Sequence, residues 1–283
     1  MVHKGKLIII GGHEDKSVAG ESLTIEKRTG SKPHPHFEIL SSLISKIPRA
    51  HHVIEIIATA SAIPEQMEEM YSEAYKEAGF TYVGFIRIEN EGEANSLLYK
   101  KRIEYSHAVF FTGGDQTRLT NTLNGTSVLE AIRKKYISDE HFIVAGTSAG
   151  GMAIPQTIIT GGVIREALIK DDIKMGNGFG FISTIIADTH FIKRGRFARL
   201  AHAVALNPAL LGVGLGEDTA ITISNGNEAV CSGSGMVILI DGNEISKTNI
   251  TTVDESTPIT LENLKVHILA EGSKFSIKER RFT

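Results

Sequence analysis

Short β-branched apolar runs recur along the first half of the chain, and each ends on glycine or a small residue before helix-spaced sequence begins. The runs at 7–10, 52–57, 108–111 and 142–145 lead into Gly11-Gly12, Ala58-Thr59-Ala60-Ser61, Thr112-Gly113-Gly114 and Gly146-Thr147-Ser148. Apolar runs this short, bounded by turn residues, predict strands, and the helical spacing between them, as at 65–78, predicts the helices that join parallel strands. The expected fold is α/β, a mostly parallel sheet flanked by helices. Ligands bind such sheets beyond the carboxyl ends of the strands. The glycine-rich turns are therefore where chemistry is expected.

Two stretches depart from that pattern. Beyond Glu217 the texture changes to strand-like segments at 220–224, 230–231, 236–240 and 264–268, separated by Asn-Gly and Asp-Gly turns. These predict antiparallel hairpins that continue one side of the domain. Residues 16–35, with Gly20, Gly30, Pro33 and Pro35, lack periodicity and are expected to form a long loop over the strand-end surface. With no repeat, linker or low-complexity segment, residues 1–283 are expected to form a single domain.

Composition narrows the function classes. Of 283 residues, 41% are hydrophobic and 22% charged, enough to build a sizeable core and too apolar for a disordered chain. The formal net charge of −3 argues against a nucleic-acid platform, which needs a clustered excess of Lys and Arg. Cys231 is the single cysteine, so no internal disulfide forms and no oxidising compartment is required. The apolar run at 7–10 is far shorter than a signal-peptide core, and none approaches the roughly 18 residues that span a bilayer. A cytoplasmic protein with no membrane partner is expected.

Gly146-Thr147-Ser148-Ala149-Gly150 follows a strand and fits the G-x-S-x-G turn, which projects a serine hydroxyl at a strand-to-helix junction. A serine needs a base, normally a histidine oriented by an acid. Of the histidines downstream, His202 falls in helix-spaced sequence and His267 in a terminal strand, whereas His190 closes the apolar run 185–187. Glu217 closes another, 211–216, with Asp218 beside it as the alternative acid. The resulting order Ser, His, Glu differs from that of α/β-hydrolases.

Thr112-Gly113-Gly114-Asp115-Gln116 ends the preceding strand. Gly114 can offer its N–H beside that of Ala149 as an oxyanion hole, and Gln116 can reach substrate. An ordinary helix cap by Asp115 fits the same residues. The basic stripe Lys193-Arg194-Gly195-Arg196-Phe197-Ala198-Arg199 follows the expected base. Such a stripe commonly forms a solvated helix face, but beside a catalytic histidine its arginines can fork onto substrate carboxylates.

Taken together, Gly11 to Lys16, Phe111 to Gln116 with Leu119-Thr120, Gly146 to Gly150, Asp172 to Gly180, Asp188-Thr189-His190-Phe191 with Arg194, Arg196, Arg199 and Leu200, and Gly216 to Ala220 resemble the cyanophycinases of the S51 serine peptidases. The resemblance runs from the first strand to about residue 220. It implies a fold like that of class I glutamine amidotransferases with serine in place of their cysteine, and a homodimer. It assigns Ser148 as nucleophile, His190 as base and Glu217 as acid. Gly114 and Ala149 match the oxyanion hole, and Gln116, Asp188, Arg194 and Arg199 match substrate contacts. The implied substrate is cyanophycin, poly-aspartate carrying arginine on its side-chain carboxylates, and the product is β-Asp-Arg. No metal or organic cofactor is implied. Thr189 stands where the family usually has glutamine, which shortens the side chain and removes an amide, so Thr189 bears on substrate identity. Other aspartyl or isoaspartyl peptides are the alternative substrates.

Readings from other classes fit less well. Gly11-Gly12-His13 lacks the G-x-G-x-x-G spacing of a dinucleotide fold. His34, His36, His51 and His52 lack the H-E-x-x-H spacing of a metallohydrolase. A non-catalytic binding protein on the same fold is the remaining rival.

Overall fold

A computed structural model describes residues 3–13, 39, 40, 43, 45, 52–162 and 168–283. The loop expected at 16–35, and with it His34, His36 and His51, lies outside the described residues.

The parallel strands form where the apolar runs predict them. They are β1 (Lys6–Ile10), β2 (Val53–Ile57), β3 (Tyr82–Ile86), β4 (Ala108–Phe111) and β5 (Ile143–Thr147), in spatial order β1-β5-β4-β2-β3. On the other side of β1 the sheet continues antiparallel through β10 (Thr219–Ser224), β11 (Glu228–Gly233), β16 (Lys274–Ser276) and β17 (Arg281–Phe282), making nine strands. Of the segments expected to form this extension, 220–224 and 230–231 do so, whereas 236–240 and 264–268 pair with each other in a second sheet, because strand pairing is non-local and not set by the turns between them.

Alternation along β1 explains why its whole run is apolar. Leu7 and Ile9 enter one buried cluster while Ile8 and Ile10 enter another, so both faces of the sheet are covered. On one face lies α1 (Pro64–Glu77), whose Tyr71 and Tyr75 pack on Phe110. The other face takes α5 (Ser127–Ser138), after the shorter helices α2 (Glu91–Ala94), α3 (Leu97–Tyr105) and α4 (Gln116–Leu123). Glu55, in β2 beside the edge strand, is buried and receives two hydrogen bonds from Arg102 of α3. Burial pushes the Glu55 carboxyl up against the opposing pull of that guanidinium.

The strands that carry the candidate base and acid are not in this sheet. β8 (Ile185–Asp188) and β9 (Leu211–Leu215) pair in parallel in a second sheet of four strands, completed by β12 (Val237–Asp241) and β15 (Lys265–Leu269), while β6 (Thr157–Gly162) pairs with β7 (Ile173–Asn177) and β13 (Lys247–Thr248) with β14 (Leu261–Glu262) as separate ribbons. Both sheets contribute to one buried cluster, which includes Leu7 and Val144 from the first and Ile185, Val213 and Leu239 from the second. The helix α6 (Ala149–Ala153) lies between them, and α7 (Phe197–Leu206) covers the far side of the second sheet through Leu200 and Val204. Among the described residues no helix is long and apolar enough to cross a membrane.

Candidate active site

Three chain segments meet where the sheets converge. Ser148 leaves β5 with φ 52° and ψ −119°, a left-handed backbone that a non-glycine residue adopts at a cost of about 1–3 kcal/mol. The turn is held by the Ser148 N–H, which donates to Ile10 O at 3.0 Å, and it lifts the side chain off the strand. His190, just past β8, also has positive φ, 49°, and its N–H donates to Gly11 O at 2.8 Å. Glu217 follows β9, and the next residue, Asp218, donates its N–H to Gly12 O at 2.9 Å. The Gly11-Gly12 turn after β1 therefore ties together the loops that bear His190 and Glu217. Gly12 leaves room for the imidazole, because a Cβ there would lie 2.4 Å from Cε1 of His190.

The side chains form a continuous relay. Ser148 Oγ lies 2.9 Å from His190 Nε2, and His190 Nδ1 lies 2.8 Å from Glu217 Oε1. A carboxylate only accepts, so Nδ1 carries the imidazole proton and Nε2 of the neutral ring accepts from the serine hydroxyl. Burial lowers the His190 pKa against the raising effect of Glu217, and the positive charge of Arg194 lowers it further, so the neutral ring prevails at pH 7. Burial alone would raise Glu217, but hydrogen bonds from His190 and Lys193 outweigh it and hold the carboxyl below its usual range. Lys193 Nζ stands 3.1 Å from Glu217 Oε2. Asp218 turns away, accepting from Ser234 Oγ at 2.8 Å, so Glu217 is the acid that meets His190.

The second glycine turn lies alongside. A Cβ on Gly113 would be 3.3 Å from the Ser148 Cβ, which puts this turn against the serine. Gly114, at φ 141°, approaches the Ala60 carbonyl so closely that a Cβ would lie 1.9 Å from its oxygen. Asp115 does cap α4, accepting from the N–H groups of Thr117 and Arg118. Gln116 donates its side-chain amide to Ile159 O at 2.9 Å, which orients the amide at the start of α4.

The arginines divide by position. Arg199 is 8% exposed and forks onto fully buried Asp188, with Nε to Oδ2 at 2.8 Å and Nη2 to Oδ1 at 2.5 Å. Arg196 adds Nη1 contacts to Asp188 Oδ1 at 3.0 Å and Thr189 O at 2.7 Å. Asp188 and Arg199, expected to touch substrate, instead satisfy each other inside the protein and brace the strand end that carries His190. Arg194 is exposed, and among the described residues no carboxylate is paired with it. Thr189 is fully buried, and its Oγ1 has no hydrogen-bond partner among the described residues. Sequence reasoning missed the contact of Lys193 with Glu217 and the approach of His13. Their signal was only adjacency, Lys193 lying one turn after His190 and His13 directly after the glycine pair. Cys231 is buried, which pushes its thiol up to about 11 and leaves it unsuited to nucleophilic chemistry.

Known proteins resemble this chain over nearly its whole length. The cyanophycinase of Nostoc sp. is 33% identical over 277 residues, covering 98% of this chain and 87% of that protein. The cyanophycinase of Trichormus variabilis is 32% identical with the same coverage, 98% and 87%. The crystal structure of a peptidase from an acI-B1 Actinobacterium superposes with a TM-score of 0.66 at 19% identity, covering 97% of both chains, and so shares the fold. The model of peptidase family S51 matches residues 29–230. With that match spanning most of its length, the chain belongs to peptidase family S51 and is a serine-type peptidase.

Proposed function

We propose that this peptidase hydrolyses cyanophycin, with Ser148 as nucleophile, His190 as general base and then acid, and Glu217 as the orienting carboxylate. The observation that carries the reading is the unbroken contact from Ser148 Oγ through His190 to Glu217 Oε1, at 2.9 and 2.8 Å. In the first half-reaction Nε2 takes the serine proton as Oγ attacks a main-chain peptide carbonyl of the poly-aspartate, so the isopeptide bond stays intact in the β-Asp-Arg product. The N–H groups of Gly114 and Ala149 receive the developing oxyanion, and among the described residues neither donates to a backbone carbonyl. His190 then protonates the leaving nitrogen, and water attacks the acyl-enzyme by the same relay in reverse.

Substrate recognition follows from the same groups. Arg194 offers a solvent-facing guanidinium beside the base, suited to a carboxylate of an aspartate-rich chain. Gln116 presents an oriented amide, whereas Thr189, expected to touch substrate, is as fully enclosed as Asp188 and does not line the cleft. Asp188 and Arg199 act one step back, as positioning residues. The cyanophycinase relatives support cyanophycin itself as the substrate. A homodimer, a cytoplasmic location and a single domain across 1–283 belong to the same proposal and rest on the family resemblance and the sequence. Labelling with a serine-directed phosphonate tests the relay: mass spectrometry should place the adduct on Ser148, and labelling should fail in His190→Ala. An adduct elsewhere would overturn the assignment.

A further inference from the structure

One histidine at the site has no part in the proposed reaction. His13 Nε2 lies 3.7 Å from Glu217 Oε1, the oxygen that also meets His190 Nδ1 at 2.8 Å. The two imidazoles stand edge to face, with centroids 5.3 Å apart and planes at 77°, so neither ring covers the other. One ligand atom from each of His13, His190 and Glu217 falls within 4.8 Å of the others. Tetrahedral zinc, with bonds of about 2.0–2.1 Å, needs ligand atoms roughly 3.3 Å apart. The side chain of His13 is 67% exposed and has room to close that gap. The three backbones are already fixed, because Gly11 O holds His190 N at 2.8 Å and Gly12 O holds Asp218 N at 2.9 Å.

We propose that His13, His190 and Glu217 form an inhibitory zinc site that switches the serine relay off by reversing the imidazole tautomer. Zinc binds the lone pair of Nδ1, so the one proton of the neutral ring leaves Nδ1 and returns on Nε2, with no net proton released. Glu217 exchanges its hydrogen bond for a coordination bond. Nε2 becomes a donor and no longer accepts the proton of Ser148 Oγ. Two imidazoles and one carboxylate suit zinc, whereas magnesium prefers oxygen ligands and is not expected to compete. The inhibitory step rests on His190 being the base; the binding step does not.

The test uses His13→Asn, since asparagine tolerates the φ of 50° at this position. Calorimetry with zinc alone should give one site per chain in the wild type, with Kd raised about tenfold or more in the variant by loss of one ligand. Zinc should suppress phosphonate labelling of wild-type Ser148, a chelator should restore it, and the variant should need at least about tenfold more zinc for the same effect. Without zinc the variant should hydrolyse substrate within about threefold of wild type, as His13 touches no reacting atom. Equal zinc affinity in the two proteins would overturn the site. Zinc bound at wild-type affinity with labelling unchanged would overturn the inhibitory step. Calorimetry on Ser148→Ala reads the site even if the serine mechanism fails.

Discussion

Glu217 sets its Oε1 2.8 Å from Nδ1 of His190, while the neighbouring Asp218 spends its carboxylate on Ser234. Glu217→Gln should therefore lower kcat by about 10²–10⁴, with KM changing far less, because an amide neither holds the productive tautomer nor stabilises the imidazolium. Asp218→Asn should stay within about threefold of wild type. Steady-state kinetics of the two variants checks this, and the reverse ranking would move the acid by one position.

Asp188 and Arg199 predict a loss of stability. Arg199→Ala leaves a fully buried carboxylate short of its forked partner and should cost about 3–5 kcal/mol in urea unfolding. Arg194→Ala, at an exposed position, should leave the unfolding midpoint nearly unchanged and raise KM for acidic substrates. If Arg199→Ala unfolds like wild type, the buried pair is not what braces the strand.

His190 sets the acid limb of activity. Its pKa lies below the ordinary 6.5, chiefly through burial, so kcat/KM should be at its plateau by pH 7 and fall only as the ring takes up a proton at lower pH. Arg194 contributes to that lowering. Arg194→Gln removes a positive charge, favours the imidazolium, and should move the acid midpoint to higher pH. A pH profile of kcat/KM in both proteins reads the shift, and a midpoint moving to lower pH would contradict it.

The unpartnered hydroxyl of Thr189 gives a fourth prediction. Thr189→Val keeps the shape and removes a buried orphan, so the protein should gain about 1 kcal/mol of stability. Because the hydroxyl is enclosed, kcat/KM should stay within about threefold of wild type. A loss of about tenfold or more would mean that the hydroxyl does read substrate.

Much of this was legible from local chemistry. The strands ending at Ile10, Ile57, Phe111 and Thr147 carried their own turn signals, and Ser148, His190 and Glu217 stood at strand ends, where the relay forms. Sheet membership was not legible, because the runs at 185–188 and 211–215 look like the others and their pairing is non-local. Nor was the direction of the arginines. The turn before Phe197 sets the rotation of α7, and that rotation sends Arg199 inward to Asp188, whereas Arg194, within the turn, faces solvent. His13 carries no motif of its own, and its nearness to Glu217 follows from β1 lying beside β10.

The most direct measurement incubates the purified protein and its Ser148→Ala variant with cyanophycin and follows soluble products by mass spectrometry. The wild type should release β-Asp-Arg, and the variant should be slower by several orders of magnitude, roughly 10⁴ or more, while retaining its fold by circular dichroism. Absence of the dipeptide from the wild-type reaction would contradict the substrate, and a variant within about tenfold of wild type would contradict the serine mechanism.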